Sequence, residues 1–278
     1  MVVAAGAQSD ADRKTCETAK AGEWDQSFID TCSRAIAAAG DAQVKSQLLV
    51  RRALGYRALR QLNRALPDND AAIAANPQSA PAYRDRALTL LLLHKFELAV
   101  QDCEKIIVID GGAAPGANAA LIRVASLDLS RCGSFNALVG HNDRAFVLLD
   151  QAVQLDPNLS DNLIARCSLR RRTGRLAEAL EDCNRAVQLN PNGFFGASER
   201  SMVYLQLGRL PEAKADAEAA VKKGKLFIFV NDRMAQILTA MGDPKGAARA
   251  AKQGQIGTNP TIGAMLGIDP DQERKGSY

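Results

Sequence analysis

Small apolar residues mark a long period along this chain: Ala65, Ala99, Ala145, Ala179, Ala213 and Ala247 stand 34, 46, 34, 34 and 34 residues apart. Around each of them the apolar and polar positions follow a helical rhythm. Leu163 to Pro191 is the clearest stretch. Leu163, Ile164, Cys167 and Leu169 open a first helix, Thr173-Gly174-Arg175 turns the chain, and Leu176 to Leu189 forms a second helix that stops at Asn190-Pro191. Gly174 tolerates the positive φ of such a turn, and Pro191 cannot continue a helix. Ala179 and Ala186 lie seven apart, on one helix face, and let a partner helix approach closely.

The same frame fits the rest of the chain. Turn glycines recur at Gly208 and Gly242, the small pair at Ala213 with Ala220, and a first-helix aromatic at Tyr56 and Tyr204. Second helices stop at Pro77, Gly111, Pro157, Pro191, Lys225 and Asn259. Seven units follow, at about 9–40, 46–77, 80–111, 116–157, 160–191, 194–225 and 228–259, the first of them degenerate. A fixed period of this length marks an array of helical hairpins. The fourth unit is longer by 12 residues, and the surplus is expected as a break in helical structure between Arg131 and His141, at Cys132-Gly133-Ser134 and Gly140. Pro67 is expected to kink a second helix or delay its start, whereas Pro211 and Pro244 sit at helix starts, where proline costs little.

These units resemble the tetratricopeptide repeat family, whose 34-residue helix-turn-helix repeats carry small residues, a turn glycine, an aromatic and a terminal proline at these offsets. The resemblance covers about residues 12 to 258. It implies an all-α, right-handed superhelical solenoid of about seven repeats over residues 9–259, with a C-terminal tail at 260–278 in which Gly267 to Pro270 docks. It also implies a non-enzymatic interaction scaffold whose ligand surface is the concave face, lined by one stripe of each first helix. In phase, that stripe holds Arg57 in unit two, Arg84 in unit three, Arg171 and Arg172 in unit five, and Met202 and Gln206 in unit six. Its mixed apolar and basic composition suits a protein or peptide partner, acidic in character, because arginine grips carboxylates with paired donors. The asparagine-plus-lysine clamp that some members use for C-terminal carboxylates is absent, with Arg51, Asp85, Ala165 and Glu199 at the asparagine position. A structural or accessory subunit of a cell-envelope assembly, or of an enzyme encoded elsewhere, is the alternative.

Composition narrows the chemistry. The net charge of +4, with both signs mixed throughout, is too weak to predict a nucleic-acid partner, and no apolar run is long enough to predict a membrane span. The two histidines, His94 and His141, read as solvated turn residues rather than metal ligands. Gly111 to Gly116 is glycine-rich but joins two helices, so neither a phosphate cradle nor any cofactor or catalytic site is expected. One charged pattern is ordered: Arg52/Asp68, Arg86/Asp102, Arg166/Asp182 and Arg200/Asp216 are all 16 apart and in phase with the repeat. That spacing predicts ion pairs joining a first helix to a second, within or between units.

The cysteines follow the same spacing. Cys16/Cys32 and Cys167/Cys183 are each 16 apart, which predicts two intra-unit disulfides, and Cys103 with Cys132 is a weaker third candidate. Buried thiols at small-residue positions would fill these sites equally well. An even count in paired spacing fits an oxidising compartment, periplasmic or secreted, with a cytoplasmic location as the alternative. The A-x-A pattern Ala5-Gly6-Ala7 reads either as the stub of a signal peptide over residues 1–8 or as plain helix lead-in. A matching cysteine in each helix of a repeat resembles exported alphaproteobacterial members of the same family.

Overall fold

A computed structural model describes residues 2–20, 22–110, 119–224 and 228–255, and everything stated below refers to them. They contain fourteen α-helices that pair in chain order as seven hairpins. The first three are α1 (Val2–Thr18) with α2 (Gln26–Ala38), α3 (Ala42–Ala58) with α4 (Leu62–Ala75), and α5 (Ala80–Leu92) with α6 (Phe96–Asp110). The remaining four are α7 (Ala119–Leu138) with α8 (Asn142–Leu155), α9 (Ser160–Arg172) with α10 (Leu176–Leu189), α11 (Phe195–Gln206) with α12 (Leu210–Gly224), and α13 (Ile228–Ala240) with α14 (Pro244–Gln255). The fold is an all-α array of helical hairpins. It divides into two compact units, α1–α6 and α7–α14.

Each hairpin from the second to the seventh turns on one left-handed residue. These are Arg60, His94, Gly140, Gly174, Gly208 and Gly242, with φ between 56° and 84°. The next residue closes the turn by donating its N–H five residues back, as in Arg175 N to Arg170 O at 2.8 Å and Lys95 N to Leu90 O at 2.8 Å. This is the Schellman ending of a helix, which glycine enters without strain and a side chain does not. Two of the six hairpins therefore hold a non-glycine residue in a conformation built for glycine.

The recurrent alanines are where the helices touch. Ala65, Ala99, Ala145, Ala179 and Ala213 have no accessible surface, and Ala247 has 8%. In the first hairpin Phe28 takes that role, and the facing residue shrinks to Gly55, where an added Cβ would lie 2.8 Å from the Phe28 ring. Pro77, Pro157 and Pro191 each stand two residues beyond the last residue of their helix. Gly111, Lys225, Asn259, the Gly111–Gly116 stretch and the tail at 260–278 lie outside the described residues.

The fourth hairpin departs from expectation. The helix does not break at Cys132-Gly133-Ser134: α7 runs unbroken through them to Leu138, and the break falls only at Gly140, the left-handed turn residue. Gly133 is a close-contact residue, since a Cβ there would lie 2.6 Å from Leu149 Cγ and 3.2 Å from the Ala145 carbonyl, and its absence lets α8 approach. Counting back 34 residues from α9 puts an ordinary start at Ser126, yet α7 begins at Ala119, so part of the surplus is two extra turns at the front of the helix. Similarly, Pro67 lies inside α4, whose start at Leu62 it does not delay. Pro211 and Pro244 occupy the first two positions of α12 and α14, where no helical hydrogen bond is lost.

Candidate functional site

Four arginines bind the hairpins into stacks. Arg52 Nε and Nη2 donate to Asp68 at 2.8 and 2.7 Å, and Arg86 does the same to Asp102 at 2.8 and 2.6 Å. Arg166 grips Asp182 at 2.9 and 2.7 Å, and Arg200 grips Asp216 at 2.6 and 2.8 Å. Each pair joins the two helices of one hairpin. The remaining Nη1 reaches back to the second helix of the hairpin before it: to Ser33 Oγ from Arg52, Asp70 from Arg86, Asp150 from Arg166 and Asn184 from Arg200, all at 2.8–2.9 Å. The two open placements, within and between units, are thus made at once by one fork. The first hairpin reverses the arrangement, with Arg34 on α2 donating to Asp12 on α1 at 2.7 and 3.0 Å. Hydrogen bonding to Asp102 raises Arg86 further above its ordinary range, while burial raises the Asp102 carboxyl in spite of the Arg86 charge beside it.

Two disulfides lie in the same seam. Cys16–Cys32 spans α1 and α2 with 5.1 Å between Cα atoms, and Cys167–Cys183 spans α9 and α10 with 5.7 Å, one residue on from the Arg166–Asp182 pair. Both separations are ordinary for a bridge. All four sulfurs are fully buried. No free cysteine occurs among the described residues.

On the other side, the first helices of the second unit form a groove. It is an open-sided space of about 580 Å³ between α7, α9, α11 and α13, with Leu149 of α8 at its base. Ile164, Leu169, Phe195 and Phe229 supply apolar walls, Ser134 and Ser168 supply hydroxyls, and Glu199, Arg172 and Arg233 supply charge. The Phe195 and Phe229 rings are stacked, 5.7 Å apart and 11° from parallel. Phe194 stacks on Phe195 from behind at 4.2 Å and is itself 8% exposed, so the shelf is backed by core.

Glu199 is the hub of this face. One oxygen accepts from Arg171 Nε and the other from Arg233 Nη2, both at 2.6 Å, which ties α9, α11 and α13 together through one carboxylate. Arg233 Nη1 also donates to Ser198 Oγ at 2.9 Å. Burial would raise the Glu199 carboxyl, but Arg233 and Arg171 overcome it and hold the group at about 2. In the first unit Arg57 of α3 donates to Asp85 of α5 at 2.9 Å, a shorter version of the same link.

The six residues expected on the ligand stripe are therefore unequal. Arg172 lines the groove and is exposed. Arg171 and Arg57 face inward onto Glu199 and Asp85, with 13% and 17% of their side chains exposed. Met202 is buried, Gln206 is exposed at the end of α11, and Arg84 is half-buried on α5; none of the three lines the groove. Along α11 the groove is lined by Phe195 and Glu199 rather than by Met202 and Gln206, which share that stripe of the helix but lie further along it, toward its C-terminal end. A signal for this existed in the sequence, because Phe195/Phe229 and Glu199/Arg233 are both 34 apart. Among the described residues no group of three His, Cys, Asp or Glu side chains is placed to hold a metal ion, and no helix is long and apolar enough to cross a membrane.

The architecture is that of tetratricopeptide-repeat proteins. A tetratricopeptide repeat protein from Parabacteroides merdae superposes with a TM-score of 0.74 at 15% identity, over 94% of this chain and 96% of that one. PilW, a widely conserved type IV pilus biogenesis factor, matches with a TM-score of 0.61 at 16% identity, over 76% of this chain and 92% of its own. YrrB, a tetratricopeptide repeat protein with an unusual peptide-binding site, matches with a TM-score of 0.51 at 16% identity, over 73% and 95%. At these identities the likeness is one of fold. No protein-family model matches the chain, and no curated protein matches it in sequence.

Proposed function

We propose that this protein is a non-catalytic interaction scaffold that receives a peptide or a partner surface in the groove formed by the first helices of its second unit. The observation that carries this reading is the groove itself: an apolar floor, hydroxyls and arginines gathered on one face of four successive first helices. Binding sites set polar groups that fix orientation beside apolar walls, as Ser134, Ser168 and Arg172 stand beside Ile164 and Phe229 here. The hairpin fold, which builds extended surfaces rather than enclosed pockets, supports the same assignment. The partner is a protein, and the surplus of arginine favours an acidic one over a nucleic acid.

The scaffold works in an oxidising compartment, periplasmic or secreted, where two buried disulfides persist. We assign the remaining cysteines, Cys103 and Cys132, to a third bridge. A thiol titration of protein purified from its native source, in denaturant without reductant, is expected to find no reactive thiol. Six thiols would place the chain in the cytoplasm. For the groove, crosslinking pull-down from native extract is expected to recover the same partner with wild type and with a Glu181→Arg change on the exposed side of α10, and to lose it with Ser168→Trp. Loss with the α10 change alone would make the protein a structural subunit that binds by its other face.

A further inference from the structure

The turns of the first unit depart from the chemistry that the later turns keep. At the left-handed position four hairpins place glycine, whereas the second and third place Arg60 at φ 59° and His94 at φ 56°. A side chain there is strained where glycine is not, and such strain gathers where a residue is needed for function. Four residues further on, the fifth and sixth hairpins carry Glu178 and Glu212, and Glu212 neutralises Arg209 of its own turn at 2.8 Å. The second and third hairpins carry Arg64 and Leu98 at that position. An arginine thus stands in place of the acid in one turn, and a leucine, 45% exposed, in the other.

Across residues 59–64 and 93–98 there are three arginine or lysine side chains and one carboxylate, Glu97. Arg60 and Lys95 are exposed and have no side-chain partner among the described residues. Arg64 donates to Tyr56 Oη and Gln61 Oε1, both at 2.8 Å, and lies over the Tyr56 ring, so its guanidinium is fixed without meeting a carboxylate. Leu59, next to Arg60, is 38% exposed. Successive first helices run the same way, α3 and α5 being tied by Arg57 and Asp85, so both turns end on one edge.

We propose that this edge rests on an anionic lipid surface, with Leu59 and Leu98 entering the headgroup layer and Arg60, Arg64 and Lys95 pairing with lipid phosphates. Exposed apolar side chains flanked by cations are the chemistry of an interfacial contact, which spans nothing. The projecting shape of the edge favours a membrane over an acidic protein. Headgroups flow around leucine tips and bring phosphates to cations that share no fixed geometry, whereas a protein needs a face shaped to match. This surface is separate from the groove, and its failure would leave the groove reading untouched.

The test is flotation of the full chain, disulfides intact, with vesicles of phosphatidylcholine alone or with about 30 mol% phosphatidylglycerol. Wild type is expected to float with the anionic vesicles at low salt, and to stay behind with neutral vesicles or in about 0.5 M salt. Arg60→Gly removes a cation and relieves the left-handed strain, so its unfolding midpoint should equal or exceed that of wild type while vesicle affinity falls about fivefold. Adding Lys95→Gln should take the loss to about 25-fold. Leu98→Ser should weaken binding at unchanged charge, which attraction between charges alone does not predict. Arg209→Gln in the sixth hairpin, where Glu212 already neutralises the arginine, should bind as wild type does. Wild type that fails to float at low salt would overturn the proposal, as would Arg60→Gly with Lys95→Gln floating as well as wild type. Capture of an acidic protein through Arg60 and Lys95, by a chain that ignores vesicles, would put a protein in the membrane's place and overturn it too.

Discussion

The seam between first and second helices and the groove between successive first helices are both built from arginine and carboxylate, yet they use them differently. In the seam one fork is repeated four times with near-identical geometry, Arg52, Arg86, Arg166 and Arg200 each holding an aspartate of the same hairpin and a polar atom of the hairpin before. Among the first helices the pattern occurs once in full, around Glu199 in the groove, and in shorter form at Asp85 in the first unit. Repetition is what a stacking device needs, since every hairpin presents the same neighbour. Variation is what a recognition surface needs, since its ligand does not repeat. The residues that share a phase but not an identity, Asp85 with Glu199 and Leu91 with Arg171, are on the first-helix face.

The sharpest way to break the seam is to remove its acid. Asp182 accepts from Arg166 twice and from Arg170 once and is 5% exposed, so Asp182→Ala strands two guanidinium groups and is expected to cost about 3–4 kcal/mol in denaturant unfolding. Asp216, held by Arg200 and 13% exposed, should cost less when changed to Ala, about 2 kcal/mol. Equal and negligible losses would mean that the ladder is not what stacks the hairpins.

Next in size is the bridge one residue along the same seam. Replacing Cys167 and Cys183 together by Ala releases a 16-residue loop and is expected to lower unfolding free energy by about 3 kcal/mol, read from the urea midpoint. The groove has its own signature, in pH. Glu199 ionises at about 2 in the folded chain against 4.5 ordinarily, so its link is fully formed above pH 4.5 and is lost as pH falls toward 2. The expected loss across that window is at most about 3 kcal/mol, and subtracting the Glu199→Gln curve from wild type should isolate it. A difference that instead grew as pH fell through that window would contradict the assignment. The smallest effect concerns the turns. His94 holds φ at 56°, so His94→Gly is expected to raise stability by about 0.5–1 kcal/mol, whereas Gly174→Ala at φ 82° should lower it by a similar amount.

The seam was legible in the sequence because its parts recur: Ala179 and its counterparts, the Arg–Asp spacing of 16 and the cysteine spacing of 16 all report one helix-to-helix contact made repeatedly. The reach of each arginine back to the preceding hairpin was not, because Ser33, Asp70, Asp150 and Asn184 share a place but not a chemistry. Glycine misled at Gly133, where residue type alone does not distinguish a helix break from a close helix contact that only a missing Cβ permits. The groove was half legible. Arg172 stands out by charge, but at which level of α11 the groove opens is not written in the repeat: it meets the start of the helix at Phe195 and Glu199, whereas Met202 and Gln206 lie further along the same stripe. Phe195 with Phe229, one period apart, carries that level.

Site-specific photocrosslinking tests the central claim most directly. A photoreactive residue placed at Ser168 in the groove, and separately at Glu181 on the exposed side of α10, would report which face meets the partner in native extract. The account predicts a single crosslinked partner from position 168, lost in the Arg172→Glu background, and none from position 181. The same partner captured from 181 and not from 168 would contradict it.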